Sequence, residues 1–302
     1  METTTSSNET LEQAGARDAE KNRRSEFSRS WRRFKRFKPG VVALVFIAIL
    51  GVIAIIPGVF EPYSYTAIAP AERGAGPSWS HPLGQDDLGR DILSRLIRGT
   101  RVAFVVALAA TSISLLIGIT VGAVAGYFGG TVDSLLSRVV DAILAFPLLI
   151  LLITLAAVLG PSLWTVVIVI GMTSWASYAR VVRADVLSLR EREFVLAART
   201  AGATDRRVIF RHIVPSVLGP VIVLASLSVG IVILLEASLS FLGFGIQRPT
   251  PAWGSMLSDG RDFLRNYPHI AISPGIMIFL TVLAFNLIGD GLRDALDPRQ
   301  RE

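Results

Sequence analysis

The sequence contains no cysteine and only three histidines, His81, His212 and His269, which lie far apart in the chain. The absence of cysteine excludes disulfides, thiolate metal sites and cysteine nucleophiles, and it leaves the redox compartment undefined. The last lysine is Lys38. Because a P-loop ends in a lysine that reaches the phosphates, the chain cannot bind ATP by that route. We therefore expect no catalytic site, no metal and no cofactor in this chain.

Charged residues are also scarce, at 18% of the 302 residues, whereas hydrophobic residues make up 51% and the mean hydropathy is +0.53. Soluble proteins carry about 25% charged residues, so this composition indicates a membrane protein. Six apolar stretches are each long enough to cross about 30 Å of hydrocarbon as a helix. They lie at 40–60, 102–127, 139–160, 162–180, 216–236 and 270–289. The sequence therefore predicts an all-α membrane protein with six transmembrane helices.

Basic residues are concentrated in two places, with ten Lys and Arg in residues 1–38 and eight Arg in residues 180–211. Cytoplasmic segments carry the excess of Lys and Arg, so both places are predicted to be cytoplasmic. With six spans, the N- and C-termini and the 128–138 connection share that side of the cell membrane. Residues 61–101 and 237–269 are predicted to lie on the extracytoplasmic side.

The N-terminal segment differs from the rest in composition. Residues 1–28 are polar with almost no large apolar side chains, so we expect disorder there. The following "SRSWRRFKRFKPG" suits a short helix on an anionic membrane surface, or a positive flank that orients the first span. The predicted parts of the chain are a disordered cytoplasmic N-terminus (1–28), an interfacial helix and first transmembrane helix (29–60), an extracytoplasmic segment (61–101), a five-helix core (102–290) that includes a cytoplasmic loop (181–215), and a cytoplasmic tail (291–302).

Ionisable groups are rare inside the predicted spans. Arg138 and Asp141 lie one turn apart at the start of the third span and are expected to pair. Glu236 and Asp290 lie near span ends. Intramembrane acids and histidines are the usual mark of a proton or ion pathway, and none is predicted at the midplane. This argues against a coupled secondary transporter, which together with a standalone channel remains an alternative function.

Small residues and prolines also mark the spans. Gly118, Gly122 and Gly126 form a stripe at a spacing of four. Such a stripe lets helices approach closely, either with another subunit or within the chain, and we favour packing within the chain. Three prolines interrupt spans near one end: Pro147, Pro220 and Pro274. They could open backbone groups to a pathway or act as plain kinks, and we favour plain kinks.

Between two apolar spans lies the basic stretch "EREFVLAARTAGATDRRVIFRHIVPS", residues 191–216. Residues that recur at i, i+3, i+4 and i+7 predict one face of a helix. They are Phe194, Ala197, Ala198 and Ala201. Gly202 is placed to end that helix in a left-handed cap. Thr204 and Asp205 are placed to begin a second helix, which is expected to end at Pro215.

Two short helices joined at a glycine admit three interpretations. A helix-turn-helix that reads DNA is excluded because both of its ends run directly into membrane spans. A positive loop that only orients the spans explains the charge but not the well-formed helix ends. A docking module for a cytoplasmic protein explains both, since a face of small residues suits close contact with another protein's groove. We therefore favour docking.

The stretch resembles the E-A-A loop of permease subunits in bacterial ATP-binding-cassette (ABC) importers. The pattern of that loop is Glu-Ala-Ala, three residues, Gly, nine residues, then Ile-x-Leu-Pro. Ala197 and Ala198 match its alanines, and Gly202 and Pro215 match its glycine and proline. Three positions depart from the pattern: Leu196 replaces the glutamate, His212 the isoleucine and Val214 the leucine. The role of the glutamate is therefore not carried over to this chain.

Four further segments are similar to the dipeptide, oligopeptide and nickel permease branch of that family. They are "HPLGQDDLGRDILSRLIRGTR" at 81–101, "EASLSFLGFG" at 236–245, "PAWGSML" at 251–257 and "FNLIGDGLRDALDPR" at 285–299. The layout of one N-terminal span before a five-span core is also that of this branch. By resemblance, the chain is identified as a C-type subunit, the second permease of a heterodimeric pair.

The resemblance implies a type I ABC importer-like permease with a cytoplasmic coupling helix near residues 194–207. In such importers a separate ATPase receives this helix, and closure of the ATPases on ATP switches the spans between inward- and outward-open states. The residues implied for ATPase coupling are Phe194, Ala197, Ala198, Gly202, Asp205, Arg206, Arg207 and Pro215. No substrate-binding residue follows from the resemblance.

The resemblance also implies partners and a substrate. The expected partners are a second permease, two cytoplasmic ATPases that hold ATP and Mg²⁺, an extracytoplasmic substrate-binding protein and the lipid membrane, without nucleic acid. The expected cargo is a di- or oligopeptide, with nickel chelates or another small solute as the alternative. Trp79 and Trp253 in the extracytoplasmic segments are candidates to contact the binding protein or to anchor at the membrane interface.

Overall fold

The computed structural model describes residues 31–296, so the predictions for residues 1–28 and for the tail beyond residue 296 lie outside the described residues. Every regular element in this range is helical. The main helices are α1 (Lys38–Ile55), α2 (Ile92–Phe128), α3 (Gly130–Ala145), α4 (Leu148–Leu159), α5 (Leu163–Leu189), α6 (Glu193–Thr200), α7 (Asp205–Val208), α8 (Val214–Phe241), α9 (Trp253–Arg261) and α10 (His269–Leu296). Short turns at Pro57–Phe60 and Pro70–Glu72 follow α1, and a π turn at Ile209–Ile213 joins α7 to α8.

Five helical segments are long and apolar enough to cross a membrane. They are α1, α2, α5, the continuous run Asp205–Phe241 that contains α7 and α8, and α10 up to Ala295. A sixth crossing is formed if α3 and α4, which are bent by 87°, are counted as one span. The all-helical membrane fold is thus confirmed, and the predicted count of six depends on this bent pair.

The junction of α3 and α4 corrects the prediction that Pro147 is a plain kink. Phe146 is extended, with a ψ of 136°, and α4 begins directly after Pro147. Proline has no amide hydrogen, and its ring pushes the preceding residue out of the helical conformation. Two separate helices therefore meet here at 87°. Pro220 and Pro274, in contrast, lie inside the unbroken helices α8 and α10.

Helix α2 begins ten residues before the predicted span and runs for 37 residues from Ile92. The Asp91 carboxylate caps its first turn by accepting a 2.7 Å hydrogen bond from the Ser94 amide. Residues 92–101, expected to belong to an extracytoplasmic segment, are therefore helical. The hydropathy pattern misses this start because it marks only the apolar part of a helix.

The glycine stripe of α2 packs against α5 of the same chain. A Cβ added at Gly118 would lie 2.5 Å from the Tyr178 Cβ, and one added at Gly122 would lie 2.6 Å from the Ala179 carbonyl oxygen. Gly126 lies equally close to the α5 backbone. Any side chain on this face would push the two helices apart. The prediction of packing within the chain is confirmed.

The second helix of the basic loop does not end at Pro215. Helix α7 continues through the π turn into α8, and Pro215 lies in the first turn of α8. A π turn opens the normal hydrogen-bond ladder, so it accommodates a residue that lacks an amide hydrogen. The loop is consequently joined to a membrane span by one continuous helix rather than by a flexible connection.

Trp253 is buried rather than placed at a membrane interface. Its side chain is 1% exposed, and its indole N–H donates a 3.1 Å hydrogen bond to the Leu96 carbonyl of α2. This correction arises because α9 folds back onto the bundle, a contact 157 residues distant in sequence. Trp79, in contrast, is fully exposed.

Two groups of connecting segments lie at opposite ends of the bundle. Residues 56–91 and 242–268 form what we name the capped end, where the Gln85 carbonyl lies 3.3 Å from the His269 ring Nε2. Residues 126–133 and 183–213 form the loop end, where the Tyr127 hydroxyl contacts Asp205. The structure therefore groups the segments as the charge bias predicted, with the basic loop and the 128–138 connection together.

Candidate docking site on the basic loop

Helix α6 and the turn after it have the predicted form. Gly202 adopts a φ of +80°, which favours glycine. The Gly202 amide donates to the Arg199 carbonyl at 2.9 Å, and the Ala203 amide donates to the Ala198 carbonyl at 3.1 Å. These two bonds form a Schellman motif, which ends a helix at a left-handed residue. The loop is therefore a defined structure and not a flexible basic linker.

The two faces of α6 have different environments. Val195 is completely buried, and Ala198 is half-buried in the same cluster, which includes Val182 and Val186 of α5. Phe194, in contrast, is 42% exposed. Ala197 and Gly202 are exposed as well. Three of the predicted coupling residues thus share an accessible surface, whereas Ala198 anchors the helix to the bundle.

An eight-residue helix is too short for the sequence to distinguish its two faces. Val195 and Ala198 are spaced by three, as are Phe194 and Ala197, so both pairs satisfy the same helical period. The distinction comes only from the partner helices, since α6 packs its Val195 side against the ends of α2 and α5. Phe194, Ala197 and Ala198 lie on one helix as predicted, and the structure adds that Ala198 is half-buried against the bundle.

Helix α7 begins as predicted at Asp205, although the Thr204 side chain makes no capping hydrogen bond. The Asp205 carboxylate instead accepts a 2.6 Å hydrogen bond from the Tyr127 hydroxyl at the end of α2. Arg206 and Arg207, the other predicted polar contacts, are exposed, as is Pro215 at the start of α8. Asp205 therefore holds the loop to the bundle, while the two arginines remain accessible.

Tyr127 connects three helices of the loop end. Its hydroxyl donates to Asp205 of α7 and accepts a 3.2 Å hydrogen bond from Nε of Arg199 on α6. The Arg199 guanidinium carbon also lies 4.6 Å from the centre of the tyrosine ring, a cation–π contact. Neither Tyr127 nor Arg199 is predicted as a site residue from the sequence. The sequence does show a tyrosine in the last turn of an apolar span, which suggests a polar contact there. It does not show that the contact is with Asp205, 78 residues away.

Arginines in and directly after α5 form contacts with α2 and α3. Arg183 pairs with Asp133, with a 2.7 Å bond from Nη2 to Oδ2, and Arg190 donates to the Gly126 carbonyl at 3.3 Å. Arg180 pairs with Asp141 at 2.8 Å. This last pair replaces the predicted pair between Arg138 and Asp141, because α5 places Arg180 directly across from the carboxylate.

Four further arginines of the loop are exposed, namely Arg192, Arg206, Arg207 and Arg211. The accessible surface of the loop therefore combines a helix rich in small residues, the exposed aromatic side chains of Phe194 and Phe210, and several arginines. Aromatic residues and arginine are enriched in protein–protein interfaces. Within residues 31–296, no three histidine or carboxylate side chains lie close enough together to hold a metal ion.

Two family models match the chain. The model for the binding-protein-dependent transport system inner membrane component matches residues 118–302. The model for the N-terminal TM domain of oligopeptide transport permease C matches residues 25–77. The first of these includes the whole basic loop and every helix from the glycine stripe onward.

Individual relatives are similar over nearly their whole length. The dipeptide transport system permease protein DppC of Alkalihalophilus pseudofirmus is 44% identical over 277 residues, 92% of this chain and 91% of the relative. The glutathione transport system permease protein GsiD of Pectobacterium atrosepticum is 41% identical over 93% of each chain. The oligopeptide transport system permease protein OppC of Bacillus subtilis is 40% identical over 96% of each chain. The crystal structure of an amino acid ABC transporter with histidines is 17% identical, with a TM-score of 0.48, over 62% of this chain and 87% of that chain.

Proposed function

We propose the function of this chain from its family, because it belongs to the binding-protein-dependent transport system inner membrane components, the permease subunits of ABC importers. The proposed role is to form, with a second permease, the membrane pathway for di- or oligopeptides. We infer a peptide substrate because the chain is 44% identical to a dipeptide permease over 92% of its length. Nickel chelates are disfavoured because the relatives named above are dipeptide, glutathione and oligopeptide permeases, and a standalone channel or secondary transporter does not fit this family.

The proposed partners at the loop end are two ATPases that bind and hydrolyse ATP with Mg²⁺. Phe194, Ala197 and Gly202 would enter a groove of one ATPase, because they are exposed and, apart from the phenylalanine, small. Arg206 and Arg207 would contact acidic groups on the rim of that groove. The loop end would then lie in the cytoplasm together with both termini, as the bias of arginine and lysine predicts.

The capped end would then face a substrate-binding protein on the extracytoplasmic side. Trp79 is fully exposed there and is a candidate contact. The second permease would lie beside this chain in the membrane, with the peptide passing between the two.

The contacts of Tyr127 indicate how a movement of the docked helix would reach the spans. Arg199 and Asp205 hold α6 and α7 to the end of α2 through that one side chain. α7 is also continuous with α8. A displacement of α6 would therefore be transmitted to two spans at once. ATP binding can change the conformation only if the ATPases contact the two conformations with different affinity.

The substitution Gly202→Asp tests this function in the purified importer. It adds a charged side chain to the proposed docking surface, at a glycine with no atom within 4 Å of the new Cβ. We expect the partner permease and ATPases to copurify in part, and peptide-loaded binding protein to stimulate no ATP hydrolysis.

The matched control is Gly130→Asp, because Gly130 also has a positive φ, at +54°, and open space around it. It lies at the same end of the bundle but outside the proposed docking surface, so hydrolysis should remain stimulated. Full stimulation in Gly202→Asp would contradict the assignment of the coupling surface. Purification of the chain without any ATPase would contradict the importer itself.

A further inference from the structure

A cavity of about 440 Å³ lies among the spans, away from the docking surface. Its walls come from α2, α5, α8 and the junction of α3 and α4. The lining combines apolar side chains with several hydroxyl groups and contains no charged side chain. Small-molecule sites in proteins typically have volumes of about 300–1,000 Å³, so the cavity is large enough to hold part of a peptide.

Some hydroxyl groups of this lining already have partners. Ser114 donates to the Gly171 carbonyl at 2.9 Å, Thr173 to the Val169 carbonyl at 2.7 Å, and Ser228 to the Leu224 carbonyl at 2.8 Å. The bonds of Thr173 and Ser228 reach the carbonyl one turn back, which is usual for serine and threonine in membrane helices, and the bond of Ser114 joins α2 to α5. These three groups need no ligand.

Three other hydroxyl groups of the lining differ in this respect. Thr111, Ser174 and Tyr178 each have a buried hydroxyl oxygen without a hydrogen-bond partner. The Tyr178 hydroxyl lies near Ser228, but the two hydroxyl groups are not hydrogen-bonded to each other. Over residues 31–296 these are the buried hydroxyl groups without a partner, and all of them line this one cavity. Buried polar groups normally have partners, so these groups indicate that the contents of the cavity supply them.

The bend between α3 and α4 is a second, independent observation. Phe146 and Leu148, on either side of Pro147, both line the cavity. A helix that ends inside the membrane leaves backbone N–H and C=O groups without helical partners. Such irregular backbone is tolerated at membrane depth where it is buried in protein or lines a water-filled cavity. The break therefore adds further hydrogen-bonding groups to the same wall.

We propose that this cavity holds the backbone of the peptide during its passage, through the hydroxyl groups of Thr111, Ser174 and Tyr178. A hydroxyl both donates and accepts, so it can pair with either the N–H or the C=O groups of an extended peptide. Since no lining side chain is charged, the site does not distinguish acidic from basic peptides. This inference rests on the proposed function and adds to it the residues that contact the substrate.

Removal of single hydroxyl groups tests the site in the complete importer, reconstituted in proteoliposomes with its binding protein and radiolabelled trialanine. Thr111→Val and Ser174→Ala should each lower the peptide taken up per ATP hydrolysed by about 2- to 10-fold, the range for one hydrogen bond. The factor should be the same for Ala-Glu-Ala and Ala-Lys-Ala. The matched control is Thr173→Val, which lines the same cavity but loses a hydroxyl that is already bonded to its own helix. It should change uptake less than 2-fold.

A labelling experiment covers the case in which a variant does not assemble. The chain contains no cysteine, so Ser174→Cys is the only thiol in this subunit. In the complete importer it should react with a small methanethiosulfonate reagent, and turnover with trialanine should slow that reaction. Thr120→Cys is the control, because Thr120 is exposed outside the cavity and bonds to the Leu116 carbonyl. Its reaction should be unaffected by the peptide.

The outcomes separate this site from the proposed function. If peptide stimulates ATP hydrolysis while both hydroxyl variants keep normal uptake per ATP, the site is wrong and the importer stands. Labelling of Ser174→Cys that is indifferent to trialanine leads to the same conclusion. If the unmodified importer shows no peptide-stimulated hydrolysis, the proposed function fails and the site fails with it.

Discussion

At the capped end, Asp86 accepts a 2.7 Å bond from Arg90 and lies 3.3 Å from Arg95, and the three side chains are between 2% and 6% exposed. Beside the loop end, Arg180 and Asp141 form a 2.8 Å pair in which the side chains are 59% and 68% exposed. Arg183 and Asp133, at the loop end itself, are 35% and 16% exposed. Both ends therefore contain arginine–aspartate pairs, but only the cluster around Asp86 is almost completely removed from water.

The difference in burial changes the free energy that is lost when an ion pair is broken. Breaking a buried ion pair leaves a charge in a medium of low polarity and costs about 3–5 kcal/mol. Breaking an exposed pair costs about 0–1 kcal/mol. Asp91 is also buried at the capped end, where its carboxylate accepts a hydrogen bond from the Ser94 amide and contacts the His81 ring. The cluster around Asp86 is thus restricted to one arrangement, whereas the exposed Arg180–Asp141 pair can exchange its contacts at low cost.

The largest effect is expected for Asp86→Ala at the capped end. It would leave Arg90 and Arg95 buried without their shared carboxylate, and should lower the free energy of unfolding by about 3–5 kcal/mol. The measurement is thermal unfolding of the purified importer in detergent, together with the yield of assembled complex. Asp262→Ala is the control, because Asp262 pairs with Arg261 at an exposed site. Equal stability of the two variants would remove the distinction between a buried cluster and an exposed pair.

An intermediate effect is expected for Tyr127→Phe at the loop end. The variant keeps the ring but loses one hydroxyl that serves both Asp205 and Arg199. Each such bond contributes about 0.5–1.5 kcal/mol, so the amides of α6 and α7 should exchange hydrogen about 5- to 100-fold faster. Peptide-stimulated ATP hydrolysis should fall while the complex stays assembled.

The control for this variant is Tyr63→Phe, which removes a phenolic hydroxyl at the capped end. It should leave hydrogen exchange in the loop unchanged. Normal exchange and normal hydrolysis in Tyr127→Phe would show that the loop is held by its apolar contacts alone.

The smallest effect is expected for Asp141→Ala. Since the pair with Arg180 is exposed, the free energy of unfolding should fall by less than about 1 kcal/mol, and less still at high salt. The same thermal unfolding measurement applies. A loss above about 2 kcal/mol would mean that the pair is shielded from water in the assembled importer, and would place a neighbouring subunit over it.

Local features of the sequence predicted the helical fold and the form of the basic loop. The stretch from Phe194 to Gly202 could be interpreted because helical spacing and a left-handed glycine are encoded by neighbouring residues. The inward position of Ala198 could not be predicted, because it depends on how α6 packs against α2 and α5. Trp253 was misplaced for the same reason, as its hydrogen-bond partner lies on another helix.

The cavity shows most clearly which features could not be predicted from the sequence. Thr111 and Ser174 belong to different spans, and neither differs locally from the other serines and threonines of the chain. Only the assembled bundle shows that Thr173 bonds to its own helix while Ser174 does not. Pro147 was recognised as an interruption, but the size of the bend is set by how α3 and α4 pack against their neighbours.

The continuous helix from Asp205 to Phe241 has a mechanical consequence. Its 37 residues form a rod about 55 Å long. Near one end the backbone of α9 touches it, since a Cβ on Gly254 would lie 2.0 Å from the Ala237 carbonyl oxygen. A rod pinned at Ala237 has Asp205 about 48 Å and Ser228 about 14 Å from its pivot. A displacement of Asp205 about that contact would therefore reach Ser228, in the cavity wall, reduced about threefold.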